Sequence, residues 1–420
     1  MTGSGNDPFG GMPFLGDLAR MVQGQGPIAW DAARHLAHVI ASDGASEANV
    51  DPLARIELEQ LARVAEVHVA SVTGLGTSST GRPVTVVPVT RTEWVARTLD
   101  AWRPLFERLA ASLGPGAPAA GSAGTGADSG TGTGTGGADH PAAADPTLPA
   151  EFDDDETAAW LGSLMQALAP MMLGMAAGSM VGHLAQRSLG QYDLPIPRPR
   201  GDELMVVAPT LDAFGDEWTL PRDDLRLWIC LHEIAHHTVL GVPHVRARLD
   251  ELVAGFVAGF RPDPRGLEDR LGAIDPTAGG VADIQRMFSD PEVLLGAVRS
   301  PDQEALQPRL DALVAVVVGY VDHVMDRIGT NLIPSYGRVT EALRRRRVQA
   351  ADADRFVERL FGLELTTRCY DRGSAFVDGV VERAGDPALD RLWIDPAALP
   401  TPAEVDAPGL WLARIDLPGN

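Results

Sequence analysis

The chain reads as a mainly α protein with minor β structure. Two observations point there. Apolar residues recur at helical spacing in segment after segment, and the apolar stretch Trp160–Ala185 is far longer than a strand. Against these stands one short strand-like run, Leu204–Val207. With 420 residues and 45% hydrophobic content, the chain can bury one large core or two modest ones.

Residues 1–26 are Gly-rich and read as a flexible N-terminal arm. The start has no basic segment leading into an apolar core, so no secretion signal is expected and the expected location is cytoplasmic. Residues 27–113 form an N-terminal helical region. Trp30, Ala33, Leu36, Ala37 and Ile40 share one face, and Leu53, Ile56, Leu61, Val64 and Ala65 share a second. Trp94, Val95, Leu99, Trp102 and Leu105 share a third. That predicts three helices, with a polar turn around Gly74–Pro88. Residues 114–150 are a Gly/Ala/Thr linker unable to bury a core. Residues 151–420 make the remaining region. Trp160–Ala185 carries no formally charged residue and is long enough to span a membrane. Gln166, Pro170, Ser179 and His183 argue for two broken, buried helices instead, and Gly174, Gly178 and Gly182 allow close packing.

After the short strand, Thr219 reads as an N-cap, Asp223 and Asp224 as an acidic first turn, and Gly241 with Pro243 as a stop. Within that helix lies His232-Glu233-Ile234-Ala235-His236. Residues four apart share a helical face, so the two imidazoles can meet one metal ion. A carboxylate beside the first His can take a proton from the attacking water. That chemistry points to Zn2+ as cofactor, His232 and His236 as metal ligands and Glu233 as general base. A catalytic zinc site needs a third protein ligand. His244 is off the spacing at which a third His would extend the motif. A second apolar helix, Leu313–Asp326, offers Asp322, which shares a face with Asp326, and beside it His323. Asp322 is the expected third ligand, with His244 and His323 as alternatives. An ion-pair network of Asp322, Asp326 and Arg327 is the competing explanation. Tyr320, His323 and His237 are candidates to stabilise an oxyanion, with packing the default role for each.

The residues at this point resemble the actinobacterial zincin-like hydrolases, zinc-dependent metalloproteases of unassigned substrate. The resemblance rests on Gly10–Met21, Gly26–Ala37, Leu189–Pro199, Leu231–Leu249, Gly319–Gly329 and Phe361–Leu412. It implies a mostly helical zincin-like metallopeptidase fold over residues 151–420 and a zinc hydrolase activity. It also implies a Glu just before the glycine of the second helix. Val318 stands there instead, so Asp322 would have to substitute or the site is impaired.

The net charge of −22 opposes a nucleic-acid partner, whose phosphates would be repelled. A peptide or small amide substrate is expected, and a membrane partner is not. All 35 basic residues are Arg. The run Arg344–Arg347 reads as a salt-bridging helix face. The two cysteines, Cys230 and Cys369, are too few for a disulfide framework, and Cys230 reads as a core thiol. The leading function is a zinc metallopeptidase. The alternative is a catalytically impaired scaffold that binds a partner. Oligomeric state is not legible in the sequence.

Overall fold

A computed structural model describes residues 26–114, 154–262, 297–298, 300–348 and 352–416. The expected arm and linker lie outside the described residues, apart from Gly26 and Gly114. The expected mainly α architecture holds. Three helices open the chain: α1 (Trp30–Ala41), α2 (Pro52–Thr73) and α3 (Arg91–Leu113). Asp51 caps α2 by accepting from the Leu53 N–H, and Gly74 ends it in the left-handed conformation at φ 65°. Thr90 caps α3 by accepting from the Glu93 N–H.

The polar turn expected at Gly74–Pro88 runs into strand β1 (Thr85–Val89). It pairs in parallel with β2 (Glu203–Val207), Val87 opposite Met205. The proline inside this run and its distant partner hide it from local pattern reading. Gly190 makes an antiparallel bridge to Val206 on the other side of β2. At that position β2 is therefore an interior strand and not an open edge.

Helix α4 (Asp154–Arg187) is continuous, where two broken helices were expected. Pro170 lies inside it without ending it, and the Pro170 carbonyl accepts the Ala29 N–H at 2.8 Å. The glycine stripe is where α1 lies. A Cβ on Gly174 would fall 2.5 Å from the Ala29 carbonyl oxygen, and one on Gly178 2.4 Å from that of Ala33. Leu168–Arg187 is long and apolar enough to cross a membrane, and 56% of that window is buried inside the protein.

Then come α5 (Ala208–Glu217), α6 (Arg222–Gly241) and α7 (Pro243–Ala258). Helix α6 starts two residues later than the sequence suggested, because Pro221 is the N-cap and Thr219 adopts φ 52° in the preceding turn. It is the central helix, buried from Ile229 through Leu240 and packed between α2 and α8 (Pro301–Leu332). Two-residue strands β3 (Arg261–Pro262) and β4 (Ala297–Val298) pair before α8. A Ser300–Gln303 capping box opens α8. Helices α9 (Tyr336–Val348), α10 (Asp352–Leu360) and α11 (Thr367–Ala384) follow. Helices α8 and α11 touch backbone to backbone, since a Cβ on Gly319 would lie 2.3 Å from the Gly373 carbonyl carbon. Two 3-10 turns and the short helices α12 (Pro402–Asp406) and α13 (Pro408–Ile415) close the chain around Trp411.

Candidate metal centre

His232 and His236 occupy successive turns of α6, with ring centroids 4.3 Å apart. Trp228, a turn earlier, stacks on His232 at 4.8 Å, and Tyr192 stacks on His236 at 6.2 Å. The ring orientations are fixed further by hydrogen bonds. His236 Nδ1 lies 3.1 Å from the His232 carbonyl oxygen, and His232 Nδ1 lies 3.3 Å from Glu233 Oε1. A carbonyl only accepts, so His236 Nδ1 donates and its Nε2 carries the lone pair; His232 Nδ1 donates in the same way when Glu233 is ionised. Burial keeps both rings uncharged: it pulls the His232 pKa down to about 3, with the Arg347 charge adding to it. Burial likewise pulls His236 well below the ordinary value, and repulsion between the two rings would oppose protonating both. Two neutral, oriented imidazoles on one helical face are what a divalent metal ion requires.

Glu233 is fully buried. Its Oε2 accepts two backbone N–H bonds, from Gln191 at 2.8 Å and Tyr192 at 3.0 Å. Gly190 permits this approach, because a Cβ there would stand 2.3 Å from Glu233 Oε1. Burial pushes the Glu233 carboxyl up to about 8, against the pull of those two N–H bonds. The carboxylate thus ties α6 to the segment that crosses β2.

The histidine pair lines a cavity of about 500 Å³. Asp193, beside the N–H groups that bind Glu233, lines it too. Asp193 accepts from the Leu189 N–H at 2.7 Å, and burial pushes its carboxyl up to about 6. Val318 of α8 forms part of the wall. Helix α9 contributes Arg346 and Arg347, and the first turn of α11 contributes Arg368 and Tyr370.

Asp322 does not join the two imidazoles. It pairs with Arg347 at 3.7 Å, drawn there because a half-buried carboxylate needs a countercharge. Among the described residues no three His, Cys, Asp or Glu side chains are gathered so as to hold a metal ion. Two imidazoles therefore fit a metal, and a third protein donor is not in place beside them. His244 is also elsewhere, with Nε2 3.1 Å from the Leu392 carbonyl oxygen. His323 faces Asp386 at 3.6 Å, and Arg327 binds the same carboxylate at 2.6 Å. Asp326 accepts from the Tyr336 hydroxyl at 2.7 Å. Asp322, Asp326 and Arg327 each find a partner on another element, so they do not form one local network. Tyr320 packs edge-on against Trp393 at 4.7 Å. His237 links the Tyr192 hydroxyl, at 3.1 Å, to Asp202, at 3.4 Å. Cys230 is buried beside the Leu58 carbonyl, the core thiol expected.

Sequence reasoning missed Asp193 and the Gly190–Tyr192 segment. The signal was present as the Leu189–Pro199 fingerprint, but nothing in the residues themselves announced that its amides bind Glu233. Arg346 and Arg347 were seen as a salt-bridging face. Arg347 does pair, yet both also line the cavity.

A model of the zincin-like metallopeptidase family matches residues 28–412. The chain belongs to that family. The match runs across nearly the whole chain. Membership supports hydrolase chemistry and implies zinc dependence. The fold is similar to a crystal structure of a "putative hydrolase with a novel fold" from Chloroflexus aurantiacus. That likeness has a TM-score of 0.61 at 23% identity and covers 93% of this chain and 100% of the other. No curated protein matches the chain.

Proposed function

We propose that this family member is a zinc-dependent hydrolase of amide bonds, most simply a peptidase. One observation carries the reading: two uncharged, oriented imidazoles on one helical face line a cavity, with a carboxylate at 3.3 Å from the first. His232 and His236 would hold the ion through Nε2. The third donor would be Asp322, on releasing Arg347, or Asp193, which shares the cavity with the pair. A bound zinc ion would polarise a carbonyl and acidify water. Glu233 would accept the water proton and return it to the leaving amine. The Gln191 and Tyr192 N–H groups would hold Glu233 in place during that exchange.

A second reading has a specific observation behind it. Val318 stands on the cavity wall where the family resemblance implies a Glu, and Glu233 is fully buried. That arrangement suits a scaffold that binds without turnover. Metal analysis of the purified chain with a peptide-cleavage assay separates the two. Stoichiometric zinc with cleavage that Glu233→Gln abolishes supports the hydrolase. Zinc-free protein, or cleavage retained in Glu233→Gln, sinks it. Cleavage gained only in Val318→Glu identifies a lost site.

A further inference from the structure

The chain as a whole is strongly acidic, with a net charge of −22. The cavity beside the histidine pair has the opposite sign. Its lining holds six arginines, at 187, 346, 347, 355, 359 and 368, against three carboxylates, Asp193, Glu358 and Glu364. The arginines come from separate elements, so the folded chain gathers them and no single run does. Arg347, which shares its charge with Asp322 at 3.7 Å, is half-buried over the Tyr370 ring at 4.1 Å and close enough for its charge to act on both His232 and His236. Arg346 lies over the Phe214 ring at 4.9 Å. Arg355 and Arg368 are exposed. A second observation is independent of charge. Trp228 also lines the cavity, and its buried indole N–H has no partner among the described residues. A buried donor of this kind is costly unless an acceptor arrives.

We infer that the cavity selects a carboxylate-bearing peptide, with Arg347 and Arg346 taking the inner carboxylate and Arg355 and Arg368 steering the outer portion. Cleavage of the bound peptide rests on the hydrolase reading; its binding does not. Guanidinium forks match carboxylates in geometry, and a water-poor cleft of one sign concentrates ligands of the other. A basic peptide, which the acidic whole would attract, meets repulsion at the cavity. The carboxylate has two sources, a free C-terminus or Glu and Asp side chains.

The test is fluorescence anisotropy on the full-length chain carrying Glu233→Gln. The probes are four labelled pentapeptides of one frame: two Glu with an amidated end, two Gln with an amidated end, two Arg with an amidated end, and two Gln with a free acid. Expected is binding of the Glu peptide or the free-acid peptide at least ~10-fold tighter than the amidated Gln peptide, with the Arg peptide weakest. Whichever of the first two binds tighter identifies the carboxylate source. Arg355→Glu with Arg368→Glu, both exposed, is expected to weaken the anionic peptides at least ~10-fold and to strengthen the Arg peptide. A merely structural role would not invert the preference. Equal binding of all four, tighter binding of the Arg peptide, no binding at all, or an unchanged order in the double variant overturns the inference. Failure of the hydrolase reading looks different: the wild-type chain would bind anionic peptides and never cleave them. Failure of this inference alone leaves wild-type cleavage indifferent to peptide charge.

Discussion

Gly190→Ala tests whether the fold is built around the buried Glu233 carboxylate. The added methyl would stand 2.3 Å from Oε1, 2.5 Å from Cδ and 3.1 Å from Cγ of Glu233. Something must move. Glu233 is fully buried and cannot swing to solvent. Gly190 is held as well: its carbonyl accepts the Trp94 indole N–H at 2.9 Å, and its backbone bridges Val206. Overpacking a filled core costs about 1–3 kcal/mol. Displacing the carboxyl group also weakens two N–H bonds, each worth about 0.5–1.5 kcal/mol. Partial relief by small shifts brings the expectation to about 2–4 kcal/mol. Urea denaturation measures it. Gly201→Ala is the control, since a Cβ there meets nothing within 4 Å. The decisive comparison is a double-mutant cycle with Glu233→Ala. Removing the carboxylate removes the clash, so the methyl should do less harm in that background, by at least about 1 kcal/mol of coupling. Additive effects, or a Gly190→Ala protein within about 0.5 kcal/mol of wild type, would refute the reasoning.

Three other outcomes are expected. Burial alone would push the Asp202 carboxyl up, but hydrogen bonds from Thr80, Ser79 and Ser78 outweigh it and hold the group well below the usual carboxylate range. A depressed folded pKa contributes stability that is present above the unfolded value of about 3.9 and lost as pH falls below it. Asp202→Asn should therefore cost about 1–3 kcal/mol at neutral pH and flatten the fall of the urea midpoint between about pH 4 and 2, and an unchanged slope would count against the network. Gly178→Ala should destabilise by about 1–3 kcal/mol in thermal unfolding, since its Cβ would lie 2.4 Å from the Ala33 carbonyl oxygen, and a neutral result would mean that α1 and α4 are not in contact. Zinc at a hundredfold excess over its Kd should stabilise the chain by about 2.7 kcal/mol, and calorimetry should find that gain absent in His236→Gln; equal gains in both proteins would place the ion elsewhere.

The sequence by itself determined the helical class, the three opening helices, the strand at Leu204–Val207 and the helix that carries His232 and His236. These depend on local periodicity and on the 3.6-residue turn, which need no knowledge of the rest of the chain. Residues far apart in the chain but close in space were not legible. The strand Thr85–Val89 exists because Glu203–Val207 lies beside it. Nor could local pattern show that α4 runs on through Pro170, whose carbonyl accepts the N–H of Ala29 at the start of α1. The spacing of Asp322 from the glycine of α8 could not reveal that Arg347, from another helix, would pair with it. The acidic total likewise gave no hint that six arginines converge on one cavity. Charge adds along a sequence without regard to position, whereas a binding site feels only the groups within a few ångströms of it, and that selection is made by tertiary packing.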